Sequence, residues 1–448
     1  MAVSFGTDGI RGVANGDVDV DVAVRLGRAA ARCLGIDRPF YVGRDTRRSG
    51  PMLQAALSAG MASAGADVVD LGVIPTPGVA VACASRHAPG AVVSASHNPF
   101  ADNGIKFFAA GGLKLTDAQQ DGIEAELAAP HGDLPTGAGV GRIDTDRSIA
   151  ADYVAHLCSA VAPGSLRGLR IVLDVGNGAA SEFARPVFER AGADVIVLND
   201  EPDGVNINAR CGSTDVTGLA ETVASRGASL GFAFDGDADR VICVGPDGSE
   251  IDGDALIFLL ANSLDRRSAL TPRTVAVTVM SNLGLHKALA DRGIARVVTP
   301  VGDRHLLAAV ADQGLKLAGE QSGHLIVADL STTGDGLLSA LLVAQEVALL
   351  GEPVNQLVSP VVMQPQVLIN VPVPLGASYG DAALFAASVA EAEERLGTDG
   401  RVLVRPSGTE PKVRIMVEAA DDATAAEVAG QLSDKLAEEL KVLAAAPE

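Results

Sequence analysis

The sequence predicts an α/β protein with three α/β units of similar plan, followed by a smaller α+β unit. Three observations support this fold class. Strand-like and helix-like patterns alternate along most of the 448 residues, the strands are nearly continuous runs of Val, Ile and Leu, and the pattern changes after about residue 366. Nearly continuous apolar strands between helices are typical of parallel sheets covered on both faces, so we expect mixed or mostly parallel sheets in the three α/β units.

The elements follow the same order in each α/β unit. The first has the strand FYVG, a helix over PMLQAALSAGMASAG and the strand DVVDLG; the second has LRIVLDVG, SEFARPVFERAG and ADVIVLN; the third has RTVAVTV, LGLHKALADRG and ARVVTPV. Breaks lie near Pro130–Gly141 and Pro246–Asp254. The last unit combines the strand QVLINVPV, a helix near Asp381–Leu396, a hairpin over RVLVRPSGTEPKVRIMVE and a terminal amphipathic helix. We expect domains at residues 1–150, 151–253, 254–366 and 367–448.

Charge and composition exclude several classes of function. The net charge is −21, from 35 Lys and Arg against 56 Asp and Glu, and a nucleic-acid partner would require a basic surface. The five cysteines include no close pair, so neither a zinc site nor a disulfide framework is expected. The start has no signal-peptide pattern, and the apolar run Leu337–Leu350 is too short to span a bilayer and contains Gln345 and Glu346. We expect a cytoplasmic protein that does not contact a membrane, with this run as a buried helix.

The segment GFAFDGDADRVICV contains the strongest chemical signal. Asp235, Asp237 and Asp239 occupy alternate positions after an apolar strand, and a loop that curls away from the strand could direct all three carboxylates at one cation. An EF-hand is excluded because its sixth position would be Arg240 and its twelfth Pro246. A carboxylate site with open positions suits Mg²⁺, although an ordinary polar turn between two strands is the simpler alternative.

Two further segments suit a phosphorylated sugar. RVLVRPSGTEPKVR brings a guanidinium, hydroxyls and accessible backbone N–H groups to one short loop, which is the chemistry of a phosphate-binding loop; an ordinary glycine turn is the alternative. GEQSGH, Gly319 to His324, offers a carboxylate, a hydroxyl and an imidazole between two apolar runs, although such a segment is equally compatible with a structural turn.

Two other motifs are interpreted as chance matches. GASLG, Gly227 to Gly231, fits the pattern of a hydrolase nucleophile elbow, but a helical run precedes it and a strand follows, so Ser229 is not expected to be a nucleophile. DVGNGAAS, from Asp174, resembles a dinucleotide-binding turn, but Ser181 replaces the third glycine. An NAD-binding function therefore stays a weak alternative.

Ser96 lies in VVSASHNPFADNGIKFF, where an apolar strand ends in Ser-His-Asn-Pro. Pro99 prevents the strand from continuing, so the hydroxyl should lie at the end of a sheet, where α/β proteins bind ligands. A capped turn is the alternative. If Ser96 carries a phosphoryl group near three carboxylates, each carboxylate pair about 4 Å apart repels by about 4 kcal/mol. Three pairs approach a domain's whole stability of about 5–15 kcal/mol, so such a cluster requires a cation.

Seven segments, in this order, resemble the α-D-phosphohexomutase superfamily: FGTDGIRG, SASHNPFADNGIKFF, FDGDADR, MSNLG, GEQSGH, TTGDG and RPSGTEPKVR. The resemblance spans essentially the whole chain. It implies four domains around a central cleft, three of them α/β and the last α+β. It also implies a bound Mg²⁺, a small phosphosugar as the substrate and a homodimer.

The resemblance assigns roles by position. It implies that Ser96 is the phosphorylated serine and, together with three aspartates, a ligand of Mg²⁺: Asp235, Asp237 and Asp239. By the same resemblance, Arg11, His97 and Lys106 match polar residues beside the phosphoserine, and Arg240 follows the metal-binding loop. The sugar-binding segment contributes Glu320, Ser322 and His324. The loop for the distal phosphate contributes Arg405, Ser407, Gly408 and Thr409.

The implied reaction moves phosphate between O6 and O1 of glucosamine through a sugar 1,6-bisphosphate, which acts as intermediate or activator, as glucose 1,6-bisphosphate also would. The product would feed the synthesis of UDP-N-acetylglucosamine and cell-wall precursors. Lys106 and His97 are the candidates for the general acid and base. Gln321 favours the glucosamine branch over the mannose/glucose branch, which is the alternative; a catalytically silent phosphosugar-binding regulator is a second one. His305 and Ser229 depart from the Tyr and Asp common in relatives.

Overall fold

Sheets flanked by helices make up most of the chain. The computed structural model describes residues 5–6, 9–129, 132–374, 382–406 and 411–445. The strands in these ranges are β1 (Ile10–Val13), β2 (Phe40–Arg44), β3 (Val68–Val73), β4 (Gly90–Val93), β5 (Asp102–Ala109), β6 (Leu113–Lys114), β7 (Ile143–Thr145), β8 (Arg170–Asp174), β9 (Asp194–Leu198), β10 (Leu230–Phe234), β11 (Val241–Val244), β12 (Glu250–Ile251), β13 (Thr274–Thr278), β14 (Ala295–Thr299), β15 (Leu317–Gly319), β16 (Leu325–Val327), β17 (Gln366–Pro372), β18 (Arg401–Pro406) and β19 (Lys412–Glu418).

The α-helices in the same ranges are α1 (Val20–Leu34), α2 (Gly50–Ser63), α3 (Thr76–Arg86), α4 (Asp117–Ala128), α5 (Ile149–Ser159), α6 (Ala184–Arg190), α7 (Thr217–Arg226), α8 (Gly253–Arg266), α9 (Leu283–Asp291), α10 (Asp303–Gln313), α11 (Gly336–Leu350), α12 (Val354–Val358), α13 (Ala383–Leu396) and α14 (Asp422–Ala445). None of the helices in the described residues has both the length and the apolar character that a membrane crossing requires.

The larger of two compact units comprises Met1–Met280 and Ile294–Ser359 and contains three sheets. Their strand orders are β1-β5-β4-β2-β3-β7 with β6 beside β5, then β12-β11-β10-β8-β9, then β14-β13-β15-β16. Neighbours are parallel within β4-β2-β3-β7, β10-β8-β9 and β14-β13-β15, and each parallel segment continues into an antiparallel strand: β5, β11 or β16. The predicted α/β class with mixed sheets is confirmed.

The smaller unit comprises Ser281–Gly293 and Pro360–Glu448. Its sheet has the order β17-β19-β18 with antiparallel neighbours, and its apolar core includes residues of β17, β19, α13 and α14. Glu418 is buried and accepts hydrogen bonds from the Arg401 guanidinium at 2.7 Å and from the Leu283 backbone N–H at 3.0 Å. These bonds attach the start of α9 to the sheet. The predicted C-terminal α+β unit is therefore present.

The apolar run that was considered as a membrane segment is α11, and its charged residue is accounted for locally. The side chain of Glu346 is fully buried. Its carboxylate accepts a 2.6 Å hydrogen bond from the Ser263 hydroxyl and pairs with the guanidinium groups of Arg266 and Arg267. A buried carboxylate is tolerated when it is paired and hydrogen-bonded in this way. The prediction of a buried helix is confirmed.

Asp335 caps α11 and connects it to α5. Its carboxylate accepts the Leu338 backbone N–H at 3.0 Å and, at 3.1 Å on each oxygen, the hydroxyl of the buried Tyr153. Burial raises the pKa of Asp335 to about 7, against the opposing effect of these hydrogen bonds. Because the folded-state pKa exceeds the unfolded value, the stabilising contribution of Asp335 is complete at low pH and is lost as the pH rises through about 7.

Asp335→Asn should therefore remove part of the pH dependence of stability. Between pH 6 and 8, one group with a folded-state pKa of about 7 lowers the free energy of unfolding by about 1.4 kcal/mol, and an amide cannot contribute this loss. Urea unfolding of both proteins across this range measures the difference. Asp19→Asn at the N-cap of α1 is the matched control, because its side chain likewise accepts a helix N–H (Val22). Parallel pH profiles for wild type and D335N would contradict the expectation.

Candidate active site

The predicted functional segments occupy equivalent places in the fold. In each α/β sheet, the segment connects the last parallel strand to its antiparallel partner: Ser94–Ala101 between β4 and β5, Asp235–Arg240 between β10 and β11, and Glu320–His324 between β15 and β16. The three units thus place their polar loops at the carboxyl end of a parallel strand, where open α/β sheets bind ligands.

Ser96 is buried and its hydroxyl is directed at the acidic loop. The Ser96 Oγ donates a 2.5 Å hydrogen bond to Asp235 Oδ2, and the Ser96 backbone N–H donates to Ser94 Oγ at 2.9 Å. Its φ of 52° lies in the left-handed region, which costs a non-glycine residue free energy. Surrounding contacts must therefore hold this conformation.

Asp235, Asp237 and Asp239 converge in the interior, with relative exposures of 0%, 0% and 3%. One carboxylate oxygen from each lies within 4.8 Å of the other two. Lys106 Nζ donates to Asp237 Oδ2 at 2.9 Å and to Asp239 Oδ2 at 3.4 Å, and the Thr76 hydroxyl donates to Asp237 Oδ2 at 2.5 Å. The second oxygens of Asp237 and Asp239 are buried without a hydrogen-bond donor. Unpartnered carboxylate oxygens of this kind fit a divalent cation that prefers oxygen ligands.

Within this cluster, the pKa values of Asp235 and Asp239 are shifted in opposite directions. Burial, followed by repulsion from Asp239 and Asp237, raises the pKa of Asp235 well above its usual value. For Asp239, burial acts in the same direction, but Lys106 and His324 outweigh it and hold the pKa well below the usual range. The negative charge is therefore less stable on Asp235, the carboxylate that faces the Ser96 hydroxyl, than on Asp239.

His97 lies beside the Ser96 side chain, Arg11 bonds the backbone of the Ser96 loop, and Arg240 is next to the acidic loop. His97 Nδ1 lies 3.4 Å from Ser96 Oγ, and burial together with Arg240 and Arg11 lowers the pKa of His97 to about 4. The imidazole is thus neutral near pH 7 and available as a proton acceptor. Arg11 Nη1 donates to the Ala95 carbonyl at 3.4 Å, and the Arg240 backbone N–H donates to Asp235 Oδ1 at 3.2 Å.

The GEQSGH segment packs directly against the acidic loop. Arg240 and His324 form an antiparallel β-bridge, and the buried His324 Nδ1 lies 3.8 Å from Asp239 Oδ1. Although burial opposes the charged form, Asp239 raises the pKa of His324 above its ordinary value. Glu320 Oε1 accepts the Gly302 backbone N–H at 3.0 Å, and the Ser322 hydroxyl donates to Glu320 Oε2 at 3.3 Å. Of the three predicted sugar-binding residues, His324 thus contacts the acidic cluster, whereas Glu320 and Ser322 bond each other and Glu320 also bonds the Gly302 backbone.

The predicted phosphate-binding loop belongs to the smaller unit. Arg405 is on β18 opposite Arg414 on β19, and burial together with Arg414 lowers the pKa of Arg405. Two neighbouring guanidinium groups make this hairpin suitable for an anion. Ser407, Gly408 and Thr409 lie outside the described residues, so their predicted roles stay predictions.

The two chance motifs have structural explanations. GASLG joins α7 to β10, so Ser229 precedes a strand rather than following one, and its hydroxyl accepts the Arg170 backbone N–H at 3.3 Å. In DVGNGAAS, a Cβ added at Gly178 would lie 2.6 Å from the Gly236 carbonyl oxygen. The glycine there allows the turn to pack against the acidic loop, which accounts for the dinucleotide-like spacing.

Thr76 belongs to the site and was not predicted from the sequence. It starts α3, and its hydroxyl and backbone N–H bind the Asp237 side chain and carbonyl, respectively, across a sequence separation of 161 residues. PTPG by itself indicates only a helix start with proline in the first turn. No pattern in the sequence links this threonine to Asp237.

Gly236 is required for the close approach of the two loops. A Cβ at this position would lie 2.6 Å from the Ser96 carbonyl oxygen and 2.8 Å from Ile207 Cδ1, so Gly236→Ala must displace one loop. Because displacements of about 1 Å can cost about 100-fold in rate, we expect a loss of activity of that order for any reaction that uses Ser96. Gly218→Ala on α7 is the matched control, since a Cβ added there would meet nothing within 4 Å. Steady-state kinetics should separate the variants, and a G236A protein as active as G218A would contradict the expectation.

Comparisons with known proteins cover almost the whole chain. Sequence models of the phosphoglucomutase/phosphomannomutase α/β/α domains I, II and III match residues 2–131, 151–248 and 252–363, and the model of the C-terminal domain matches residues 368–435. The phosphoglucosamine mutase of Streptomyces avermitilis is 50% identical over 97% of this chain and 98% of its own length.

Solved structures share the fold. A phosphoglucomutase/phosphomannomutase family protein from Burkholderia thailandensis is 27% identical, with a TM-score of 0.80 over 99% of this chain and 98% of the other. The N-acetylphosphoglucosamine mutase of Aspergillus fumigatus, solved with GlcNAc-6P and magnesium, is 17% identical, with a TM-score of 0.70 over 98% of this chain and 96% of the other.

Proposed function

This chain belongs to the phosphoglucomutase/phosphomannomutase family, and we propose that it is a phosphoglucosamine mutase, an isomerase that interconverts glucosamine 6-phosphate and glucosamine 1-phosphate. The product would supply UDP-N-acetylglucosamine and cell-wall precursor synthesis. From the same resemblance we propose a cytoplasmic homodimer, and light scattering of the purified protein tests the dimer. The four domain boundaries, at 1–150, 151–253, 254–366 and 367–448, also stay proposals.

One observation carries the proposed mechanism: the Ser96 hydroxyl is hydrogen-bonded to a cluster of three buried carboxylates. A divalent cation bound there would offset negative charge of both the carboxylates and a phosphoserine at Ser96. Asp235, Asp237, Asp239 and the Ser96 phosphate would hold Mg²⁺. When bound, Mg²⁺ would stabilise negative charge on the transferring phosphoryl group.

The residues around the cluster would supply the proton transfers and the charge stabilisation that the reaction needs. In the forward direction, the sugar O1 hydroxyl attacks the phosphorus of phospho-Ser96, the bond from phosphorus to O1 forms and the bond to Oγ breaks. A general acid protonates the released Oγ, and the proton of the attacking hydroxyl passes to a base. The neutral imidazole of His97 is available for this proton, and the Lys106 ammonium, which donates to Asp237, is the candidate for the general acid. Arg11 and Arg240 would stabilise the charge on the phosphoryl oxygens.

The resulting 1,6-bisphosphate then transfers its 6-phosphate to Ser96. For this step the sugar must present either end to the same serine, so its distal phosphate needs a binding loop that accepts both orientations. Arg405, Ser407, Gly408 and Thr409 are proposed for that loop, and Glu320, Ser322 and His324 for the sugar hydroxyls. Added glucosamine or glucose 1,6-bisphosphate would restore the phosphorylated enzyme.

Turnover of purified protein tests this proposal. With Mg²⁺ and a catalytic amount of sugar 1,6-bisphosphate, ³¹P NMR should show conversion of glucosamine 6-phosphate faster than of glucose 6-phosphate or mannose 6-phosphate. Intact mass before and after phosphatase should differ by one phosphate located on Ser96. Faster conversion of glucose or mannose 6-phosphate would favour the phosphomannomutase/phosphoglucomutase alternative, and no conversion of any of the three would refute a mutase.

A further inference from the structure

Arg47, in the segment after β2, has an unusual environment. Its side chain is completely buried, and its guanidinium is directed into the Ser96 loop. Nη2 donates to the carbonyl oxygens of Ser96 and Asn98, each at 2.8 Å, and Nη1 donates to the carbonyl of Asp102 at 3.0 Å and to that of Pro99. One side chain therefore binds four backbone carbonyls within seven consecutive residues.

Asp45 completes this arrangement. It accepts Arg47 Nε at 2.8 Å, so all five N–H donors of the guanidinium are used. The same carboxylate accepts the Ser94 hydroxyl at 2.6 Å, and Ser94 Oγ in turn accepts the Ser96 backbone N–H at 2.9 Å. Ser96 is thus held on both sides, at its carbonyl by Arg47 and at its N–H through Ser94 and Asp45.

A second side chain, from the second α/β unit, bonds the same two carbonyls. Asn208 Nδ2, in the segment after β9, donates to the Ser96 carbonyl at 2.9 Å and to the Asn98 carbonyl at 3.2 Å. Arg47 and Asn208 share these two acceptors, so the loop is fixed from both the first and the second α/β unit. The contacts act on the one residue of the loop that has a left-handed φ, 52° at Ser96.

We propose that Arg47 and Asn208 are positioning residues of the active site. They hold the backbone of Ser96 in the conformation that directs its Oγ at the acidic cluster, and so determine the rate of phosphoryl transfer more than the affinity for the sugar. This inference rests on the proposed mutase function for its kinetic consequence. Its structural content, a loop held by two side chains, is independent of that function.

The test uses two variants with matched controls. Asn208→Ala removes two donors at a half-buried position, and Arg47→Lys keeps the charge but loses the planar arrangement of five donors. Asn206→Ala is the control for Asn208, since its side chain bonds Glu201 and Asp203 instead. Arg48→Lys, at an exposed arginine, is the control for Arg47.

We expect kcat to fall about 100-fold in N208A and R47K, with KM within about threefold of the wild type, because a misdirected Oγ slows the transfer step. Hydrogen exchange of the 96–102 backbone should accelerate in both variants and not in the controls. If R47K does not fold, the kcat and the hydrogen exchange of N208A test the inference on their own. Unchanged exchange in a folded N208A, or a kcat like that of N206A, would overturn the inference. An inactive wild type would instead refute the proposed function, while the exchange measurement still tests the two side chains.

Discussion

Ser96→Ala should abolish the interconversion of the two glucosamine phosphates, with kcat lower by about 10⁴-fold or more. The proposed reaction stores the phosphoryl group on Oγ, and removal of an enzyme nucleophile typically leaves only the small residual catalysis of the remaining site. A ³¹P NMR assay with sugar 1,6-bisphosphate present measures this loss, and intact mass should show that the phosphate is absent.

The loss must be distinguished from unfolding, because Ser96 also donates a hydrogen bond to Asp235. Losing a donor to a buried carboxylate costs about 1–3 kcal/mol, which a thermal melt detects without unfolding a stable protein at 25 °C. Ser85→Ala on α3 is the matched control, since that hydroxyl donates to the Val81 and Ala82 carbonyls of its own helix. An S96A protein with more than a tenth of the wild-type rate would eliminate Ser96 as the phosphate carrier.

The chemistry of the site could be predicted from the sequence wherever one short loop carries it. Asp235, Asp237 and Asp239 are at alternate positions, and Ser96 with His97 forms a single corner, so their residue types and spacing already indicate what each loop can bind. The structure brings these loops together with Lys106 as the motifs suggested. The sequence reveals this chemistry because, within each loop, the functional side chains are only one or two residues apart.

Contacts between distant segments could not be predicted. Thr76 bonds Asp237, and Arg47 bonds the Ser96 loop, but neither residue type is unusual in its own segment. The direction of the strands was also uncertain, because a strand buried on both faces reads as an apolar run whether its neighbour is parallel or antiparallel. The antiparallel strands β5, β11 and β16 therefore appear only in the structure.

Asp235→Asn should lower the activity of the protein and at the same time raise its stability in metal-free buffer. We expect the rate to fall by at least about 10³-fold, because the proposed Mg²⁺ site loses a charged ligand that also bonds the Ser96 hydroxyl. In metal-free buffer, however, the variant should be more stable than the wild type by about 1–3 kcal/mol, since an amide replaces a buried carboxylate that its neighbours repel.

The sign of this stability difference follows from the pKa of Asp235. The folded state raises that pKa well above the unfolded value, so the wild type is most stable when Asp235 is protonated and loses stability as the pH rises. The advantage of D235N should thus appear above about pH 4 and increase with pH. Adding Mg²⁺ should stabilise the wild type according to its affinity for the folded state, and should stabilise D235N much less.

Asp237→Asn provides the decisive contrast within the same cluster. Asp237 accepts Lys106 at 2.9 Å, whereas the contact of this buried ammonium with Asp239 is 3.4 Å, so D237N loses the shorter of these two ion pairs. Because removing one partner of a buried pair is destabilising, D237N should be less stable than D235N although both lose activity. Chemical unfolding with EDTA and with Mg²⁺ measures all three proteins, and Asp247→Asn in the exposed turn between β11 and β12 controls for the loss of a surface charge. Equal metal-free stabilities of D235N and D237N would show that the carboxylates do not repel one another as their burial and spacing require.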